Sequence, residues 1–266
     1  MKLSFLKSKS FWIKLIIAIP FIWLLLSLYL TSQSESLIFN YKVSWAPVPN
    51  FGYQMEFIRN KDNQAISVWT FPNTNTDEVI LYLHGNGGKI NEFFVDLQKY
   101  GTVVSPAYPG YHESEGRPTT DNVYEAALLT FDYLVEEKGV PANKITIMGH
   151  SLGGSPAVYL ASQRSTAKQL LIINTFSSVQ SMCWNQYSIL CGFTGNILNT
   201  AKYAKDVTIP VRQFIYEGDL TVSPEEGKKL YEYFPEGKKE KFILDKDSQN
   251  THAYPDIDYI FKKIGF

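Results

Sequence analysis

From Leu15 to Leu30 the chain carries no charge, whereas beyond Thr31 its apolar runs are short and separated by polar turns. Extended back to Phe11, with Lys14 as its one charge, the first run matches the roughly 20 residues a helix needs to cross a bilayer core of about 30 Å. Nothing polar faces outward across the sixteen residues from Leu15 to Leu30, which argues against a helix half-buried on a soluble core. Further on, Gln54–Arg59 and Ala65–Phe71 alternate around the turn at 60–63, the pattern of an antiparallel strand pair. Val79–Leu83, Thr102–Ala107, Lys144–Met148, Gln169–Asn174, Val211–Tyr216 and Lys241–Leu244 complete the strands, and most of them are apolar throughout, as strands covered on both faces are. Helical spacing predicts helices through Phe93, Phe94, Leu97 and Tyr100, over Asn122–Val135, after Gly153, over Pro224–Phe234 and over Tyr254–Lys263. In the second of these, Val123, Ala126, Ala127, Phe131 and Leu134 share a face, and Asn122 with Glu125 reads as its capping pair. Alternating strands and helices define the fold class: α/β, with a mostly parallel central sheet flanked by helices.

Composition narrows the rest. The 266 residues, 45% hydrophobic, suffice for one α/β domain with a full core and leave little room for a second catalytic one. A net charge of −1 creates no basic field, so nucleic acid is not an expected partner. The expected divisions are a short basic tail (1–10), a transmembrane signal anchor (11–30), a connector (31–50) and one α/β domain (51–266). Lys2, Lys7, Lys9 and Lys14 precede the apolar run, which keeps the N-terminus cytoplasmic and the domain on the extracytoplasmic side, periplasmic in a Gram-negative bacterium. The rival reading is a cleaved signal peptide, processed near the small residues Ser32 and Ser34. Cys183 and Cys191 would pair in an oxidising compartment, or remain as two buried thiols.

The chemistry concentrates at Gly149-His150-Ser151-Leu152-Gly153, between an apolar strand and a helix. Gly-x-Ser-x-Gly in that setting is the nucleophile elbow, a tight turn that lifts the serine hydroxyl clear of the sheet. The helix behind it directs free N–H groups toward negative charge on a reacting oxygen. A serine nucleophile needs a base, and the base needs an orienting acid. Among His84, His112, His150 and His252, His252 follows the last strand on a polar loop and is the favoured base, with His112 second. Asp219, at the exit of the Val211–Tyr216 strand, is the favoured acid, with Glu217 as runner-up. Leu152 N–H and, on the small-residue run His84-Gly85-Asn86-Gly87, Asn86 N–H would form the oxyanion hole.

Together with Tyr108-Pro109-Gly110-Tyr111, Ser114-Glu115-Gly116 and the segment Asp219 to Val222, these motifs make the span from about Phe51 to Phe266 resemble the α/β-hydrolase fold superfamily. It is most similar to the single-pass membrane-anchored α/β-hydrolase-domain serine hydrolases. The resemblance implies a Ser151-Asp219-His252 triad. It departs at His112, where the family usually has glycine, and in the loop before His252, which lacks the usual glycine. Residues 176–205, apolar around Met182, Cys183, Trp184 and Phe193, fall where the fold commonly inserts a lid, although a short helical connection reads equally well. Tyr108, Tyr111, His112 and Trp184 are the candidate substrate contacts. The function implied is cleavage of carboxylic esters or thioesters through an acyl-enzyme, without metal or cofactor. Its substrate would be a small or lipid-like acyl compound, or an acylated protein. A serine peptidase of the same fold and a non-catalytic membrane-tethered binding protein are the alternatives; Glu113 and Glu115, which an aminopeptidase site would use, read as loop surface.

Overall fold

Eight strands form one sheet in the order β1-β2-β4-β3-β5-β6-β7-β8, in a computed structural model that describes residues 9–39, 52–87, 93–187, 197–244, 252 and 255–265. β1 (Gln54–Arg59) and β2 (Ala65–Phe71) pair antiparallel, and β2 pairs antiparallel with β4 (Thr102–Pro106). β3 (Val79–Leu83), β4, β5 (Ile145–His150), β6 (Gln169–Ile173), β7 (Val211–Tyr216) and β8 (Lys239–Leu244) then run parallel. Every residue of β3, β5 and β6 is buried, the consequence of helices on both faces. The outer strands β1 and β8 are instead exposed or half-buried along nearly their whole length.

Parallel register brings the functional loops to one edge. Leu83 lies opposite Gly149, His150 opposite Ile173, Ile173 opposite Phe214, and Tyr216 opposite Leu244. The carboxyl ends of β3, β5, β6, β7 and β8 therefore lie side by side, where open α/β sheets bind ligands.

The remaining elements are α1 (Lys9–Ile38), α2 (Phe94–Leu97), α3 (Thr120–Asp132), α4 (Gly154–Gln163), α5 (Val179–Tyr187), α6 (Thr200–Ala204), α7 (Pro224–Glu232) and α8 (Ile257–Lys263). Two expectations shift at helix starts. α3 begins at Thr120 because the Thr119 hydroxyl accepts the Asn122 N–H at 3.2 Å, so Thr119 is the cap; Glu125 turns away to accept Lys61 N–H at 3.2 Å. α8 begins at Ile257 rather than Tyr254, with Asp256 accepting Tyr259 N–H at 2.9 Å. The apolar helix α1 also runs eight residues past the expected boundary at Leu30, taking up the start of the 31–50 connector. Its Trp12–Ser36 portion is long and apolar enough to cross a membrane. Between β6 and β7, α5 is tied to α7 by the buried Glu226, which accepts from the hydroxyls of Ser177 and Ser181 at 2.6 Å each. Cys183 on α5 is disulfide-bonded, and Cys191 is the only other cysteine in the sequence.

Candidate active site

Ser151 stands at the turn between β5 and α4 with φ +53°, a left-handed conformation that non-glycine residues adopt at a cost of about 1–3 kcal/mol. Two neighbouring glycines make the turn sterically feasible. A Cβ on Gly149 would lie 2.5 Å from the Gly153 carbonyl oxygen, and one on Gly153 only 2.0 Å from that of Leu83. The chain after Ser151 enters helix at once, a single short turn over Ser151–Gly153 and then α4, with Pro156 in the first turn of α4 where no N–H partner is lost. Leu152 N–H is thus among the free amides at a helix start.

The expected acid and base meet. His252 Nδ1 lies 2.7 Å from Asp219 Oδ2, and the Asp219 side chain is almost fully buried. Because a carboxylate accepts, the proton sits on Nδ1 and the Nε2 lone pair is left bare. The other carboxylate oxygen, Oδ1, accepts Thr221 N–H at 2.8 Å and Val222 N–H at 2.9 Å. Asp219 is therefore held on both oxygens. Glu217 is exposed and stands outside this arrangement.

His252 is tied back to the elbow by His150. The His150 Nε2–H donates to the His252 carbonyl at 2.7 Å, and the two rings lie 5.1 Å apart. Burial, reinforced by neighbouring His252, pushes the His150 imidazole down to about 3, so it stays neutral with the proton on Nε2. The residue before the serine thus grips the main chain of the base. Sequence reasoning assigns His150 no part in the site; its one legible signal is a polar ring at an otherwise apolar strand end.

The loop after β3 lies against the elbow, since a Cβ on Gly85 would be 3.5 Å from Ser151 Cβ. Below it, His84 is fully buried, its Nδ1–H donating to Gly85 O at 2.8 Å, and burial lowers its imidazole to about 3. The Tyr108 ring lies tilted against it with centroids 4.0 Å apart, and its hydroxyl donates to His84 O at 3.0 Å. Tyr111 OH donates to Asn86 Oδ1 at 3.2 Å, and the same oxygen accepts Gly87 N–H at 3.0 Å. Both tyrosines, expected as substrate contacts, are buried, and each hydroxyl is bound to this loop. His112 is half-buried, 6.0 Å from the Trp69 ring, with φ +47°. That left-handed φ explains why glycine suits this position in the resembling family. Trp184 belongs to α5, and its side chain lies outside the described residues. Glu115 is loop surface as expected, its carboxylate accepting Ala65 N–H at 2.8 Å. Two site features escaped sequence reasoning: the amides of Thr221 and Val222, an Asx-type turn signalled by an aspartate two and three residues upstream, and the contact of Asn86 Nδ2 with Ile38 O at 2.6 Å.

Comparison with known proteins agrees with this architecture. The chain is 27% identical over 228 residues to an uncharacterised membrane protein of Saccharomyces cerevisiae, covering 79% of this chain and 80% of that one. It is 30% identical over 185 residues to a lysophosphatidylserine lipase of Danio rerio, covering 60% of this chain and 48% of that protein. The crystal structure of an α/β-hydrolase from Vibrio vulnificus superposes with a TM-score of 0.69 at 19% identity, over 89% of this chain and 91% of that one. No family model matches the chain.

Proposed function

As a chain of the α/β-hydrolase fold, similar to the membrane-anchored α/β-hydrolase-domain proteins, we propose that it is a serine hydrolase of carboxylic esters or thioesters. The observation that carries this reading is the His252–Asp219 hydrogen bond of 2.7 Å, with the same histidine tethered to the residue preceding a serine at φ +53°. Ser151 Oγ attacks the acyl carbon while its proton passes to His252 Nε2. Asp219 stabilises the imidazolium without taking its proton. Leu152 and Asn86 N–H groups hold the oxyanion as the carbonyl becomes tetrahedral. Collapse expels the alcohol or thiol, protonated by His252, and water activated by the same histidine cleaves the acyl-enzyme.

A lipid-like monoacyl ester is the substrate class we favour, supported by the membrane-length helix α1 and the lysophospholipid named for one relative. The N-terminus stays cytoplasmic and the domain extracytoplasmic. Four preceding lysines support that orientation, as does a disulfide at Cys183, which persists in oxidising compartments. The test is fluorophosphonate labelling of membranes holding the full chain, followed by turnover of p-nitrophenyl esters of increasing chain length. Wild type should label and hydrolyse, and Ser151→Ala should do neither while remaining folded. Equal labelling of Ser151→Ala refutes the assignment.

A further inference from the structure

The apolar helix α1 does not stop where its uncharged run ends at Leu30. Its last turn ends against the loop proposed to hold the oxyanion. The side-chain amide of Asn86 donates to the main-chain carbonyl of Ile38 at 2.6 Å, at the C-terminus of α1 where helix carbonyls have no partner of their own. Glu35, one turn earlier, accepts Thr120 N–H at 2.9 Å, at the start of α3. Phe39, whose own N–H returns to Glu35 O at 2.9 Å, is 1% exposed within the hydrophobic core. The end of α1 is therefore docked at three points.

Asn86 is fixed by that contact on one side only. On the other, its Oδ1 accepts from Tyr111 OH and Gly87 N–H, so the side chain bridges the helix end and the buried tyrosine layer. The Asn86 amide plane and the backbone that carries its N–H are thus set from both sides. From this we infer that the docked C-terminal turn of the membrane helix is a positioning element of the active site, holding the oxyanion loop through Ile38 O and Asn86. The inference rests on the serine-hydrolase reading, and it assigns the anchor a task beyond tethering. Ile38 lies eight residues past Leu30, about 12 Å along a helix, so the loop sits close above the membrane surface. Displacement of the helix end lets Asn86 N–H drift from the developing oxyanion, where a shift of about 1 Å can cost about a hundredfold in rate.

The test uses the full chain in detergent micelles with p-nitrophenyl butyrate, a soluble ester that needs no membrane for access. Asn86→Asp keeps an acceptor for Tyr111 and Gly87 but replaces the donor facing Ile38 O by a second acceptor. Glu35→Ala loosens the dock from the helix side and touches nothing in the loop. Both should lower kcat, Asn86→Asp by about 10- to 100-fold and Glu35→Ala by severalfold, with KM within about twofold and the melting temperature nearly unchanged. Combined, they should cost less than the product of the single effects, because they break one link. An active wild type with an unaffected Glu35→Ala variant overturns this inference alone. A wild type that neither labels at Ser151 nor turns over overturns the hydrolase reading, and this inference falls with it.

Discussion

Replacing Asp219 by asparagine should be far more damaging than its near-identical shape implies, and the hydrogen bonds around it say why. Oδ1 accepts two main-chain N–H groups, from Thr221 and Val222, so the amide that replaces the carboxylate must keep its oxygen there. Turned the other way, an NH2 group would face two donors in a buried site. The NH2 is therefore directed at His252, in place of the oxygen that now accepts from Nδ1 at 2.7 Å. Facing a donor, Nδ1 must become the acceptor, and the imidazole proton moves to Nε2. A histidine in that tautomer cannot take the serine proton. The expected loss is about 10⁴-fold in kcat, or about 5.4 kcal/mol of transition-state stabilisation. Steady-state hydrolysis of p-nitrophenyl butyrate measures it, with thermal unfolding as the check on folding and ¹⁵N shifts of the His252 ring reporting the tautomer. Glu217→Gln, altering an exposed carboxylate, should stay within about twofold of wild type. Turnover by Asp219→Asn within tenfold of wild type, or a greater loss from Glu217→Gln, would refute the reasoning.

Ser151→Gly should be more stable than Ser151→Ala by about 1 kcal/mol, since glycine adopts φ +53° without steric cost. That corresponds to about 2–4 °C in melting temperature, and equal values would remove the strain argument. Acid should destabilise the domain through His84 and His150, both near 3 when folded against 6.5 when unfolded. Their lowered folded values mean that stability is full above pH 6.5 and is lost as pH falls toward 3, because only the unfolded chain binds the two protons. The slope between those limits should approach about 2.7 kcal/mol per pH unit, and His84→Gln should halve it; a melting temperature flat from pH 7.5 to 5 contradicts both assignments. In membrane topology, the protein should remain in the pellet after an alkaline carbonate wash, and protease should digest the domain in intact spheroplasts while sparing a cytoplasmic marker. Protection of the domain there reverses the orientation, and a soluble product beginning near Glu35 identifies a cleaved signal.

Much of this protein is legible from local patterning. Val79–Leu83 and Gln169–Ile173 read as interior strands because a strand covered on both faces has no position where water tolerates a polar side chain. The elbow could be read because Gly149 occupies a place where any Cβ would strike the backbone of Gly153 and Gly154, a constraint that acts within five residues, whereas the one on Gly153 comes from Leu83 and His84 on the neighbouring strand end. Asp219 and His252 followed from their order behind particular strands. Helix starts were less legible, since capping is a choice among neighbouring polar side chains, and Thr119 rather than Asn122 won it. What sequence order could not convey were contacts made across the sheet edge. Tyr108 and Tyr111 look like pocket residues on a glycine-rich loop, yet both are buried and hydrogen-bonded to His84 and Asn86, more than twenty positions upstream. His150 is 102 positions from His252, and Ile38 is 48 from Asn86. Hydrophobic periodicity records which face of an element is buried. Which partner meets it there depends on strand order and register, and these exist only once the sheet has formed.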